Sequence, residues 1–152
     1  MNSDIAFMGA VDLGKLIAKR KLSSVEATRA MLERIAQLDP KLKSYVAVLE
    51  ASALKDARRA DKEIKARKKR GPLHGVPVAV KDLCNMTGVA TTAGIPMFRK
   101  SIADHDATVV RKLRDAGAVV LGKLHLTEGA LAEHHPDVAP PINPWSARRW
   151  SG

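Results

Sequence analysis

The chain has 152 residues, of which 45% are hydrophobic and 28% charged, so it suits one domain or part of a larger one and excludes a disordered or collagen-like protein. It contains no run of about 18 apolar residues, which excludes a membrane-spanning helix. The net charge of +10 would suit a nucleic-acid partner, but the basic cluster at 62–70 ends a helical pattern, and the chain offers one Tyr, two Phe and two Trp to stack on bases. The composition therefore favours a solvated basic face over a nucleic-acid partner.

Residues 1–70 are predicted to form a helical N-terminal segment. Ser23 and Glu26 fit a capping box, in which each side chain accepts a hydrogen bond from the backbone N–H of the other residue. Asp39 and Pro40 are expected to end the helix that starts there, because the residue before a proline is pushed out of helical geometry. The predicted elements are a helix near 10–20, a helix from Ser23 to about Leu38, an extended piece at 45–46 and a helix near 49–68.

Residues 71–152 are predicted to form the first part of an α/β core. The mostly β-branched run 76–81 lies between turn formers and predicts a strand that is apolar on both faces. The segment 82–106 is predicted to be a loop, and a loop of this length is usually functional. A helix at 107–116 and a second buried strand at 118–123 complete a βαβ unit, which prefers a right-handed crossover. The fold class is therefore α/β, with N-terminal helices followed by a βαβ part of a mixed sheet.

Blocks of residues in this second part resemble, in order and spacing, the opening of the amidase-signature family. The blocks are Gly71–Asp82, Thr91–Gly94, Asp106–Val110, Arg114–Lys123, Thr127-Glu128 and Asn143–Trp145. The resemblance implies a large α/β domain around a mixed sheet, of which this chain would be the incomplete N-terminal portion. It also implies hydrolysis of a carboxamide C–N bond by a Ser–cisSer–Lys triad, without a cofactor.

The same resemblance places the family's catalytic lysine at Lys81. In the family, one serine attacks the amide, a second serine after a cis peptide bond relays the proton, and the lysine receives it. A lysine accepts a proton only when it is neutral, and burial favours the neutral form. Lys81 directly follows the apolar run, so we expect the strand end to desolvate it. Without the resemblance, a lysine at a strand end is more often solvated.

The family's two serines belong to a Gly/Ser-rich loop that follows the Asn-Pro-Trp block. None of the serines in this chain has a Gly-Ser-Ser-Gly context, and Ser151 resembles the residue just ahead of that loop. We therefore expect a truncated amidase whose 152 residues are inactive alone, because removing members of a cooperating triad loses nearly all catalysis. In the complete enzyme the substrate would be a small-molecule amide.

Two other functions stay open at this point. A non-catalytic chain, either a degenerate gene product or an interaction subunit, would associate with itself or a partner through an exposed sheet edge. A basic RNA-associated module would bind RNA with an affinity that falls steeply as the salt concentration rises.

The loop after Lys81 is a candidate part of the substrate channel. The resemblance brings its backbone near the site, although Gly94 would equally suit a plain turn through its backbone freedom. Lys123 also follows an apolar strand, and we assign it no chemistry. The candidate channel residues are Thr91, Thr92, Ala93 and Gly94.

The remaining polar residues predict neither a metal site nor a disulfide. The five histidines lack the His-x-x-x-His spacing of a metal site, and His74 is expected to be a hydrogen-bonded structural residue. Cys84 is expected to be a buried, inert thiol. With no signal peptide at Met1–Gly9 and a single cysteine, the sequence predicts a cytoplasmic protein.

Overall fold

The computed structural model describes residues 5–131 and 133–151, and it has a mixed α/β fold, which confirms the predicted fold class. The helices and strands are α1 (Ala10–Ala18), α2 (Ser24–Leu42), β1 (Tyr45–Val48), α3 (Glu50–Lys65), β2 (Pro77–Lys81), α4 (Thr108–Asp115) and β3 (Val119–Leu124). Two short 3₁₀ helices lie at Pro96–Lys100 and Glu128–Ala130. Within the described ranges, no helix is long and apolar enough to cross a membrane.

The three strands form a mixed sheet in the order β1-β3-β2. β1 runs antiparallel to β3, with Tyr45 opposite Leu124 and Val48 opposite Gly122. The backbone N–H of Val119 donates to the carbonyl oxygen of Val76, and that of Asp82 donates to the carbonyl oxygen of Leu124, so β2 runs parallel to β3. β2, α4 and β3 therefore form the predicted βαβ unit. Gly122 is required where the strands meet closely, because a Cβ there would come 2.2 Å from the carbonyl oxygen of Ala47.

The predicted burial is correct for β3 and wrong for β2. Five of the six residues of β3 are buried, as predicted for a strand that is covered on both faces. In β2 only Val80 is buried and Lys81 is exposed, so the same prediction is wrong for β2. β2 is an edge strand of the sheet that the described residues form, and an edge strand has a neighbour on one side only.

The described chain divides into two compact units, and the first comprises residues up to Gln37 together with 49–79 and 112–121. It contains two apolar clusters. Small side chains, which let helices approach closely, recur in both clusters. The buried members of the first cluster are Ile5, Leu13, Ile17, Ala27, Ala30, Ile64 and Val76, and those of the second are Leu32, Ala53, Ala57, Val119 and Leu121.

The predicted capping box at the start of α2 is confirmed. The backbone N–H of Glu26 donates to Ser23 Oγ at 3.0 Å, and the backbone N–H of Ser23 donates to Glu26 Oε2 at 2.8 Å. Hydrogen bonds from the Ser23 side chain and backbone lower the pKa of the Glu26 carboxyl group. The box therefore fixes where α2 begins, as such reciprocal bonds do elsewhere.

The predicted end of α2 is wrong, because the helix continues through Pro40 to Leu42. Pro40 lies in the last turn, where it removes one intrahelical hydrogen bond, and the helix ends two residues later. The carboxylate of Asp39 then accepts the backbone N–H groups of Ser44 at 2.7 Å and Tyr45 at 3.2 Å. Asp39 thus organises the turn into β1 instead of ending the helix.

The second unit comprises Leu38–Val48, Val80–Arg111 and the described residues from Gly122 onward. Most of its chain is loop, as predicted for 82–106, with a 3₁₀ turn at Pro96–Lys100 and an isolated bridge between Ala90 and Ile102. Its buried centre includes Met86 and Leu126 and, unexpectedly, two charged side chains. The predicted division of the sequence into 1–70 and 71–152 concerns segments along the chain and stays a prediction.

Candidate active site

Lys81 is the last residue of β2, where the sequence placed it. Its carbonyl oxygen accepts the backbone N–H of Cys84 at 2.9 Å, which starts a turn directly after the strand. Its side chain is exposed, so the described residues do not shield the amine from water as the sequence predicted. The reason is the pleat of the strand, because Val80 and Asp82 on either side take the buried face and Lys81 takes the opposite one.

The buried charges next to Lys81 are Asp82 and Lys123, whose side chains are both 0% exposed. Lys123 Nζ lies 2.8 Å from Asp82 Oδ1, and the two side chains form an ion pair. The ammonium group also donates to Thr91 Oγ1 at 2.8 Å and to the carbonyl oxygen of Ala90 at 3.2 Å. Three oxygens therefore surround an ammonium group that has three protons.

The other carboxylate oxygen of Asp82 binds the loop that follows. Thr92 donates to Asp82 Oδ2 twice, from its backbone N–H at 3.1 Å and from its hydroxyl group at 2.5 Å. The backbone of Asp82 is also held, since its N–H donates to the carbonyl of Leu124 at 2.9 Å and its carbonyl accepts the N–H of Ala93 at 3.0 Å. Asp82 Oδ1 accepts no hydrogen bond from the described residues. Its contact with Lys123 is therefore an electrostatic attraction between opposite charges and not a hydrogen bond.

The candidate channel loop, Thr91 to Gly94, is thus tied to the residue that follows Lys81. Gly94 takes a φ of 72°, and a Cβ there would come 3.0 Å from the carbonyl oxygens of Leu126 and Thr127. A glycine is therefore favoured by the backbone conformation, and a larger residue would also be crowded by these two carbonyl oxygens. The turn interpretation of this loop accounts for Gly94, while its role in a substrate channel stays a prediction.

The pairing of Asp82 with Lys123 was not predicted from the sequence. A signal for the pair was nevertheless present. A lysine at the end of a fully apolar strand needs a carboxylate partner if it is buried. Equivalent ends of parallel strands lie at the same edge of a sheet, and Asp82 is the acid that follows the neighbouring strand β2.

Two histidines of the second unit, His125 and His134, have buried ring nitrogens. His125 Nδ1 and both ring nitrogens of His134 are buried without a hydrogen-bond partner among the described residues. Burial and the neighbouring His134 lower the pKa of His125. Among the residues that the structure describes, no three His, Cys, Asp or Glu side chains are placed to bind one metal ion.

The Asn-Pro-Trp block forms a polar turn near Ser151. Asn143 Oδ1 accepts the backbone N–H groups of Trp145 at 3.0 Å and Ser146 at 3.3 Å. The hydroxyl group of Ser151 donates to the carbonyl oxygen of Pro141. Ser151 is thereby engaged with the backbone of its own turn, which is a structural contact.

Known proteins share sequence similarity with this chain. The family model described as Amidase matches residues 26–152. The protein AmiD of Mycobacterium tuberculosis is 46% identical over 148 residues, which cover 97% of this chain and 31% of AmiD. A glutamyl-tRNA(Gln) amidotransferase subunit of Acidothermus cellulolyticus is 41% identical over 152 residues, covering 99% of this chain and 30% of that protein.

A solved structure gives the same result for the fold. The native peptide amidase of Stenotrophomonas maltophilia superposes with a TM-score of 0.75 and 41% identity, over 81% of this chain and 26% of that chain. The chain therefore spans about a third or less of the length of the proteins that it matches, namely 31% of AmiD and 26% of the peptide amidase.

Proposed function

The chain belongs to the amidase family, and on that premise we propose that it supplies the lysine of an amidase that hydrolyses a carboxamide C–N bond. The observation that carries the proposal is the position of Lys81, which ends β2 within the matched region and lies beside a fully buried ion pair. The substrate class is a small-molecule amide, and the products are an acid and ammonia or an amine.

The proposed chemistry assigns one task to Lys81. A neutral Lys81 amine would receive the proton that a nucleophilic serine loses, through a relay serine, as the serine oxygen bonds to the carbonyl carbon. The resulting ammonium group would return the proton to the leaving nitrogen, and water would then cleave the acyl ester. A serine hydroxyl is a weak nucleophile until such a base accepts its proton.

The exposure of Lys81 in the described chain is compatible with this task. Its side chain is free to meet groups that lie outside these 152 residues, where the family's serine loop would be found. Contact with such groups would also desolvate the amine, and desolvation favours its neutral form. By themselves, the 152 residues are therefore expected to hydrolyse no amide.

A chimeric enzyme tests the proposal most directly. The matching N-terminal portion of the Stenotrophomonas maltophilia peptide amidase is replaced by this chain, and release of ammonia from a peptide amide is measured. We expect an active chimera in which Lys81→Ala lowers kcat by about 10⁴-fold, the usual loss when one member of a catalytic triad is removed. Lys100→Ala, at a second exposed lysine of the same unit, is the matched control and should keep kcat.

Two outcomes would contradict the proposal. One is a chimera whose activity survives Lys81→Ala while circular dichroism shows a folded protein. The other is robust amide turnover by the isolated 152 residues that Lys81→Ala abolishes, since this would require a nucleophile within the chain itself.

A further inference from the structure

The ion pair between Asp82 and Lys123 is an unusual arrangement for a protein interior. Both side chains are completely buried, and each charge loses its hydration when the chain folds. Replacing such a pair by apolar residues of similar volume is often neutral or stabilising, because the desolvation cost rivals the Coulombic gain. Stability alone therefore gives no sufficient reason for the pair.

The contacts of Asp82 indicate what else the pair does. Its backbone N–H is bound to β3, its carbonyl oxygen to Ala93, one carboxylate oxygen to Thr92 and the other to Lys123. Lys81 is bonded directly to this immobilised residue, and on its other side Lys81 belongs to β2. The backbone of Lys81 is consequently fixed from both directions.

Lys123 completes the arrangement from the neighbouring strand. Its ammonium group binds Asp82, Thr91 and Ala90 at once, so it connects the end of β2 with the start of the loop. Charged groups with several simultaneous contacts accept few alternative geometries, and a precise geometry is what a catalytic site requires from its surroundings.

We propose that Asp82 and Lys123 form a positioning pair, which holds Lys81 and the loop Thr91–Gly94 in the one arrangement that amide hydrolysis requires. This inference rests on the proposed function, since it concerns how the lysine of that function is placed. Asp82 and Lys123 act through Lys81 and the loop, and neither is assigned a contact with the substrate.

The test uses a double variant, Asp82→Leu with Lys123→Met, which removes both charges and keeps an apolar filling. In the full 152-residue chain, amide hydrogen exchange is measured at Cys84 and Ala93, whose N–H groups bind the backbone carbonyls of Lys81 and Asp82. We expect exchange there to rise about tenfold, while exchange in the apolar core of the first unit stays unchanged. A pair that served only global stability would change exchange at these two positions and in that core by the same factor.

The chimeric enzyme adds a kinetic measurement. We expect the double variant to lower kcat by about 10- to 100-fold with little change in KM, because a misplaced catalytic group affects the reacting geometry more than binding. An unchanged kcat would overturn the positioning role. Activity that survives Lys81→Ala would instead overturn the proposed function, and the exchange measurement would still decide whether the pair holds the loop.

A milder pair of variants keeps the test decisive if the double variant does not fold. Thr92→Val preserves the shape of the side chain but removes the hydroxyl that donates to Asp82, whereas Thr92→Ser keeps it. We expect faster exchange at Ala93 and a lower kcat in the chimera for Thr92→Val, with values close to those of the unmodified chain for Thr92→Ser. Equal behaviour of the two variants would overturn the proposal.

Discussion

Two clusters of ionisable side chains, one in each unit, differ in how far their charged groups are buried. The His74 cluster of the first unit consists of His74, Glu63 and Arg70, while the Asp82 cluster of the second unit centres on Asp82 and Lys123. The side chains of Arg70 and Glu63 are 36% and 21% exposed, whereas those of Asp82 and Lys123 are both 0% exposed. One cluster therefore keeps its charges in contact with water and the other does not.

In the His74 cluster only the histidine is buried, and its ring is neutral. Arg70 binds the Glu63 carboxylate through two nitrogens at 2.6 and 2.8 Å, and these bonds lower the pKa of Glu63. His74 Nε2 lies 3.1 Å from Glu63 Oε2, and His74 Nδ1 accepts the backbone N–H of Arg70 at 3.1 Å. Burial lowers the pKa of His74, so its contact with Glu63 is a hydrogen bond from a neutral ring and not an ion pair.

The extent of burial indicates which of the two clusters has a role beyond stability. Charges at the edge of water can lose a partner and be solvated, so the His74 cluster is explained as a structural lock between the end of α3 and the turn before β2. Charges that are completely buried have no such alternative. The Asp82 cluster, which lies next to Lys81, is therefore the one for which a role beyond stability is worth testing.

The largest expected effect comes from removing one charge of each cluster in turn. Lys123→Met leaves the carboxylate of Asp82 buried and unpaired, which should lower the free energy of unfolding by about 3–5 kcal/mol. Arg70→Met is the matched variant and should cost about 1 kcal/mol or less, because Glu63 remains accessible to water. Urea unfolding followed by circular dichroism measures both values. Equal losses would remove the distinction between the two clusters.

A second effect concerns the tight packing around His74. Gly117 takes a φ of 79°, and a Cβ there would come 2.3 Å from His74 Cδ2. We expect Gly117→Ala to cost about 2–4 kcal/mol, because backbone strain and a steric overlap against a buried ring add together. Gly88 takes a φ of 77° with no atom within 4 Å of the added Cβ, so Gly88→Ala should show the strain alone, about 1 kcal/mol.

The difference between the two glycine variants, measured by urea unfolding, isolates the packing against His74. Similar losses of unfolding free energy for both variants would mean that the side chains around His74 move aside to admit the added methyl group. The cluster would then be looser than its distances indicate, and the contrast with the Asp82 cluster would weaken.

Much of the fold could be predicted because its signals are local. The runs that became β2 and β3 are short, apolar and bounded by turn formers, and Gly117 between them stops α4 in the left-handed conformation as expected. The exit of α2 could not be predicted in the same way. The end of this helix depends on the carboxylate of Asp39, which binds backbone N–H groups beyond Pro40. The backbone preference of a residue before proline does not predict such a side-chain contact.

The candidate site was predicted only in part for a different reason. Lys81 could be located because a contiguous motif surrounds it. The partner of Asp82 lies far along the chain, and its identification requires knowing that β2 and β3 are neighbours in the sheet. The exposure of Lys81 depends on the phase of the pleat at the end of β2, and a one-residue shift would have exchanged Lys81 and Asp82 between the two faces.

The smallest expected effect is the contribution of His74 to the pH dependence of the free energy of unfolding. Because burial lowers the pKa of His74 in the folded chain, the unfolded chain binds a proton first as the pH falls below about 6.5. The stabilising contribution of neutral His74 to the free energy of unfolding should therefore be fully present above this pH. It should decline as the pH falls from about 6.5 towards the lower pKa that His74 has in the folded chain. Protonated Nδ1 could no longer accept the N–H of Arg70, which gives the structural reason for the loss.

His74→Asn provides the comparison, since it removes the titrating ring. Urea unfolding at pH 5.5 and 7.5 should show a larger loss at the lower pH for the unmodified chain than for His74→Asn. His125, whose pKa is also lowered by burial, contributes equally to both and cancels in the difference. The carboxylate of Glu63 titrates below this range because its pKa is lowered by Arg70, so it does not interfere. An identical pH dependence in the two chains would show that burial does not lower the pKa of His74 in the folded chain.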